Sequence, residues 1–213
     1  MATESAQSPN LYLDVLITLE QIGAPYMVVG AFAAIIYGVQ RNTHDIDVIV
    51  DLTDQHVQAL AAAYSPPRYY ADAEQMRDSI RHGTLFNIID TTRGDKADLV
   101  PLRSDPQGRS AFRRRVRQPL ELPDGQLLEI WCAQPEDVII GKLTAWAEGG
   151  SRKHESDILQ MLIYQALESP QQPLDRQAIA AQAARLGEAT LRLWNALERK
   201  AAEEIAKHGT VGA

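Results

Sequence analysis

At 213 residues, 45% of them hydrophobic, the chain is long enough for one large domain or two small ones, and its net charge of −7 argues against wrapping duplex DNA or coating an anionic membrane. A single cysteine, Cys132, excludes an intrachain disulfide and fits a reducing cytoplasm. The opening MATESAQSPN lacks the basic and apolar regions of a signal peptide, and no apolar run approaches the roughly 20 residues of a membrane span, so the expectation is a soluble, cytoplasmic protein without a membrane partner.

Apolar residues Leu11, Val15, Leu16, Leu19 and Ile22 recur at helical spacing, which predicts a first helix over about 11–22, stopped by Gly23-Ala-Pro25. Tyr26 to Val29 reads as a short buried strand, and Ala31 to Tyr37 as a helix closed by Gly38. Asp45 to Val50 reads as a second strand, and Thr53 to Tyr64 as a helix with Thr53 at its N-cap. Ser65-Pro-Pro67 breaks the chain. Leu85–Asp90 and Ala97–Leu102 read as strands joined by the turn Thr-Arg-Gly-Asp, and Gln126–Cys132 as the last strand. Pro135 stands where a helix N1 proline belongs, with Glu136 and Asp137 in the first turn. From there the pattern is helical, interrupted at Gly149-Gly150 and at Pro170 to Pro173. The expectation is an α/β core over 1–132 and a helical C-terminal region over 133–213, with no internal repeat.

Chemistry enters at VVGAFAAIIYGVQRNTHDIDVIV, residues 28–50. Gly30 ends a strand and opens a helix, so main-chain N–H groups there can face an anion, and the missing Cβ lets one approach. Asp45 and Asp47 share a strand face, with Cα atoms about 7 Å apart. Two like charges side by side cost stability unless something positive lies between them. Asp98 adds a third carboxylate if its strand neighbours theirs. Three converging carboxylates beside such a turn suit two-metal phosphoryl chemistry, and hard oxygen ligands point to Mg²⁺ or Mn²⁺. A lone Asp-x-Asp is more often a solvated strand edge.

This stretch resembles the signature of the nucleotidyltransferase (polymerase-β-like) superfamily, in which a Gly-Ser or Gly-Gly turn precedes an Asp-hydrophobic-Asp strand. With Gly38, Arg41 and Thr43 leading into Asp45-Ile-Asp47, it is similar to the AbiE-type toxin nucleotidyltransferases. The likeness continues through FNIIDTTRGDKADLVPLR, where Asp98 matches the third carboxylate, and QPEDVIIGKLTAWAEGGSRKHESDILQML, which carries Lys142 and Asp157. The resemblance implies a small mixed sheet flanked by helices, with a helical C-terminal part. It implies transfer of a nucleoside monophosphate from an NTP to a hydroxyl of RNA, a tRNA included, or of protein. Asp45, Asp47 and Asp98 would be the catalytic metal ligands, and Gly30, Ala31, Arg41, Lys142 and Asp157 the nucleotide-binding set. A cognate antitoxin or toxin is the implied partner. Ala31 departs from the pattern, since a serine there would offer the phosphates a hydroxyl.

Several residues carry two readings. Lys142 lies on an apolar helical stripe, so it either snorkels to water or reaches phosphate. Asp157 orients Lys142 or a substrate group, or lies on the surface. Arg41 touches a phosphate or caps a turn, and Thr43 is read as the cap. Arg109, Arg113, Arg114, Arg115 and Arg117 form either a solvated face or the footprint of an acceptor such as an RNA end. The histidines, His44 beside the carboxylates included, show no metal-ligand spacing. Trp131, Trp146 and Trp194 read as packing residues. Two rivals to the enzyme remain: a catalytically weak nucleotide-binding regulatory module of the same fold, and a metal-dependent nuclease.

Overall fold

The computed structural model describes residues 10–43, 45–102 and 106–209; the segment read above as lacking a signal peptide falls largely outside them, as does His44. The chain divides into two compact units. One takes the residues up to Phe32 and Thr43–Cys132; the other takes Ala33–Asn42 and the residues from Ala133 onward.

The first unit is built on a seven-stranded mixed sheet in the order β3-β4-β5-β2-β1-β7-β6. Its strands are β1 (Tyr26–Val29), β2 (Asp45–Val50), β3 (Tyr69–Tyr70), β4 (Phe86–Asp90), β5 (Lys96–Pro101), β6 (Val116–Glu121) and β7 (Leu127–Cys132). Strand β2 lies between β1, antiparallel to it, and β5, parallel to it. Alternation fixes which face is buried. Ile46, Val48 and Val50 of β2, Ala97 and Leu99 of β5, and Phe86 and Ile88 of β4 are all buried. The opposite face of the same strands carries Asp45 and Asp47, Lys96 and Asp98, and Asn87. A polar row on an otherwise apolar sheet marks the place to look for chemistry.

Helix α1 (Leu11–Gln21) buries Leu11, Tyr12, Val15, Leu16 and Leu19, the stripe its spacing predicts. Helix α2 (Gly30–Ile36) begins at Gly30. Helix α3 (Asp54–Ala63) has Thr53 as N-cap, whose hydroxyl accepts from His56 N–H while the His56 ring accepts from Thr53 N–H. Helices α4 (Ala73–His82) and α5 (Pro106–Arg113), and strands β3 and β6, are additions to the predicted elements. Only Met76 and Ser79 of α4 are buried, so apolar periodicity is nearly silent there. The caps still speak: Asp72 accepts from Gln75 N–H, and Gly83 is left-handed. Strand β6 contains Pro119, which sequence rules count against a strand; as the sheet edge, it tolerates the missing donor.

The second unit is helical: the end of α2, then α6 (Pro135–Gly149), α7 (Arg152–Glu168), α8 (Arg176–Leu186) and α9 (Glu188–Gly209). Pro135 opens α6 and left-handed Gly150 closes it. Trp194, Leu162, Ile158, Leu143 and Ile139 form its core. Among the described residues, no helix is long and apolar enough to cross a membrane.

Candidate active site

The register of the sheet brings the three carboxylates together. Asp47 is the Cα partner of Asp98 across β2–β5, and Asp98 is the partner of Asn87 across β5–β4. One step along, Asp45 pairs with Lys96. Paired like charges on neighbouring strands repel, and Asp47 shows it. Burial raises its pKa first, then the charges of Asp98 and Asp45; the Ala31 N–H and Lys96 pull the other way. Asp98 is held from both sides, by Lys96 Nζ at 2.9 Å on Oδ2 and by Asn87 Nδ2 on Oδ1. Lys96 in turn is raised above its ordinary pKa by its hydrogen bond to Asp98, and further by the charges of Asp98, Asp45 and Asp47. Thr43 caps the strand entrance, its hydroxyl donating to Asp45 O at 3.0 Å.

Gly30 also makes room for a side chain. Its φ of +66° requires glycine, and a Cβ there would collide with the Asp47 carboxylate, whose Cγ would lie 2.9 Å away. The position a Cβ would take is therefore filled by Asp47, which also takes the Ala31 N–H at the start of α2. The glycine seats the metal-ligand candidate, and Ala31 acts here through its main chain alone.

In the second unit Arg41, Lys142 and Asp157 form one ionic group. Lys142, only 5% exposed, donates from Nζ to Asp157 Oδ2 at 2.6 Å, so it does not snorkel to water. Arg41 donates from Nε and Nη2 to the two oxygens of Asp157 at 3.0 and 3.1 Å. Asp157 is 1% exposed rather than a surface residue. Burial alone would raise its pKa, but hydrogen bonds from Arg41 and Lys142, with their charges, hold it below the ordinary carboxylate value. Spacing signalled Lys142 only as a stripe residue, and nothing in the sequence pairs Arg41 with a carboxylate on α7.

The arginine run is divided by the fold. Arg115 lies over the rings of Phe112 and Trp131, 4.2 and 4.6 Å from their centres, and donates to Phe112 O at 2.7 Å. Arg117 stacks on the same tryptophan at 4.6 Å and pairs with Glu20. Both therefore take part in an aromatic stack, with Arg115 half-buried and Arg117 exposed. Arg109, Arg113 and Arg114 are exposed. Trp194 is a core residue, whereas Trp146 donates its indole N–H to Glu155 at 2.9 Å.

The donor set suits a divalent ion: hard carboxylate oxygens, with one acid held under like-charge strain that a cation relieves. Among the described residues, however, no group of three or more His, Cys, Asp or Glu side chains is gathered tightly enough to hold an ion. Asp98 is engaged instead by Lys96 and Asn87. Both escaped the sequence reading, yet both were within its reach. Lys96 stands two residues before Asp98 and so shares its face, and Asn87 is a polar interruption in an apolar strand.

A family model described as "Nucleotidyltransferase of unknown function (DUF6036)" matches residues 13–206. No curated protein matches the chain significantly. Among solved structures, an antigenic nucleotidyltransferase-like protein from Paracoccidioides brasiliensis is similar with a TM-score of 0.51 at 18% identity, over 87% of this chain and 89% of that one. The antibiotic-resistance factor ANT(2'')-Ia aligns at 0.44 and 14% identity, over 94% of this chain and 95% of that one. JHP933 from Helicobacter pylori aligns at 0.42 and 13%, over 95% and 94%.

Proposed function

Because the chain belongs to the family of nucleotidyltransferases of unknown function DUF6036, we propose that it moves a nucleoside monophosphate from an NTP to a hydroxyl of RNA, a tRNA included, or of protein, releasing pyrophosphate. The observation that carries this reading is the pairing of Asp47 with Asp98 on adjacent strands, beside Asp45 and behind Gly30. Asp45, Asp47 and Asp98 are assigned as the ligands of Mg²⁺ or Mn²⁺. Bound there, divalent ions would favour loss of the attacking hydroxyl's proton and stabilise charge on the departing pyrophosphate.

The chain's own groups have separable tasks. Gly30 leaves the room that Asp47 needs, and the Ala31 N–H orients that carboxylate. Asn87 orients Asp98 through Oδ1. Arg41 and Lys142 both bond Asp157, and this ionic group is assigned to the attraction of an NTP phosphate. Arg109, Arg113 and Arg114 are exposed cations assigned to meet an acceptor such as an RNA end. The AbiE-type placement, with a cognate antitoxin or toxin, rests on the order of the motifs from Gly30 to Asp157.

A second reading, a catalytically weak nucleotide-binding regulatory module, is favoured by one observation: both oxygens of Asp98 are already engaged. Incubation with each labelled NTP, Mg²⁺ and host lysate separates the two. The transferase releases pyrophosphate and labels a macromolecule, and Asp47→Asn does neither. Nucleotide binding without either product would leave the regulatory module.

A further inference from the structure

The carboxylate cluster contains its own cation. Lys96 opens β5 opposite Asp45, and its stem runs along the strand face that carries Asp98 two residues on. Its ammonium lies 2.9 Å from Asp98 Oδ2, while Asn87 occupies Oδ1. The two contacts differ in kind. Asn87 sits on the neighbouring strand at the partner position of Asp98 and is half-buried, so it fixes one oxygen. The Lys96 side chain is 42% exposed at the end of a flexible stem, so its ammonium can move into water without being stranded. An ammonium and a divalent ion seek the same carboxylate lone pairs, and each repels the other.

We propose that Lys96 is a resident cation that competes with the divalent ion for Asp98, so that the metal is taken up together with an NTP rather than alone. The inference rests on the nucleotidyltransferase reading above. With no nucleotide present, Lys96 offsets the repulsion among Asp45, Asp47 and Asp98 and keeps the third carboxylate turned away from a metal. An NTP brings additional ligand oxygens and negative charge, which tilt the competition towards the ion. Lys96 then swings out as a positioning residue, its ammonium available to the phosphates.

The test reads metal binding, not turnover. Mn²⁺ is titrated calorimetrically into the full chain, with and without a mixture of NTPs, for wild type, Lys96→Met and Lys96→Arg. Without nucleotide, Lys96→Met is expected to bind Mn²⁺ roughly tenfold more tightly than wild type, because one nearby positive charge has gone. Lys96→Arg keeps the charge and is expected within about twofold of wild type. The NTP-dependent gain in Mn²⁺ affinity shrinks in Lys96→Met. Lys96→Gln, which keeps a polar end, gives the same comparison should the apolar variant fold poorly. Unchanged or weaker Mn²⁺ affinity in the neutral variants, with NTP-dependent binding intact in wild type, overturns the inference and leaves the transferase reading standing. No Mn²⁺ binding by any of the proteins, with or without NTP, overturns both.

Discussion

Asp47 carries its charge where the surroundings oppose one. Burial, Asp98 and Asp45 together raise its pKa above the unfolded value. The ionised group therefore costs stability at neutral pH, and the cost vanishes as pH falls below both values. Asp47→Asn keeps an acceptor for the Ala31 N–H and removes the charge. The metal-free variant is expected to melt above wild type at neutral pH and to lose the stabilisation that Mn²⁺ gives wild type. Melting below wild type in chelator would mean that the repulsion is not felt. Gly30 allows a controlled comparison. Gly23 and Gly30 have nearly the same φ, +67° and +66°, but a Cβ at Gly23 meets nothing within 4 Å whereas one at Gly30 meets Asp47. Gly23→Ala should show the left-handed penalty alone, about 1–2 kcal/mol. Gly30→Ala is expected to cost more in urea unfolding and to abolish the Mn²⁺ shift. Equal costs with the shift retained would remove Gly30 from the site.

Residues 38–41, after α2, are held to one face of α7. A Cβ on Gly38, at φ +89°, would lie 2.5 Å from Tyr164 Cβ. Gln40 N–H donates to Gln160 Oε1 at 2.9 Å, and Arg41 grips Asp157. Residues 157, 160 and 164 recur at helical spacing, so three successive anchors share one stripe. Asp157→Ala would leave Lys142 buried without its carboxylate, at an expected cost of about 3–5 kcal/mol in denaturant unfolding. Pairing it with Lys142→Met should recover part of that loss, as coupled residues do. Additive costs would show that the two side chains do not share one interaction. This is also the scale at which the sequence was partly legible. The alternation of DIDVIV and the stripe of α1 state their faces outright. Helix α4 has too few apolar residues to announce itself, and Pro119 disguises an edge strand. The grip of Arg41 on Asp157 spans 116 residues of chain, and no local pattern encodes it. Gly30 was legible as necessary; that it seats a carboxylate was not.

Across the molecule, arginine–carboxylate pairs join segments distant in the chain, among them Arg41 with Asp157, Arg68 with Asp90, and Arg117 with Glu20. All three carboxylates have pKa values below their ordinary ones. For Asp90, burial pushes upward, but the Thr92 hydroxyl and N–H, followed by Arg68, hold it down. A depressed acid contributes stability that is present above its unfolded pKa and lost as pH falls through the folded one. Asp47 runs the opposite way, so protonating the cluster does not explain a loss of stability in acid. The acid limb should instead follow the paired carboxylates. Asp90→Asn keeps a partner for Thr92 but surrenders the charge-assisted bond to Arg68, which solvent screens in part. Urea midpoints measured from about pH 7 to about pH 2.5 are expected to start lower in the variant and fall less steeply, converging on wild type in acid once Asp90 is protonated. Curves that stay parallel to the lowest pH would show that Asp90 keeps its ordinary affinity for protons, and that Arg68 adds no pH-dependent stability to the sheet edge.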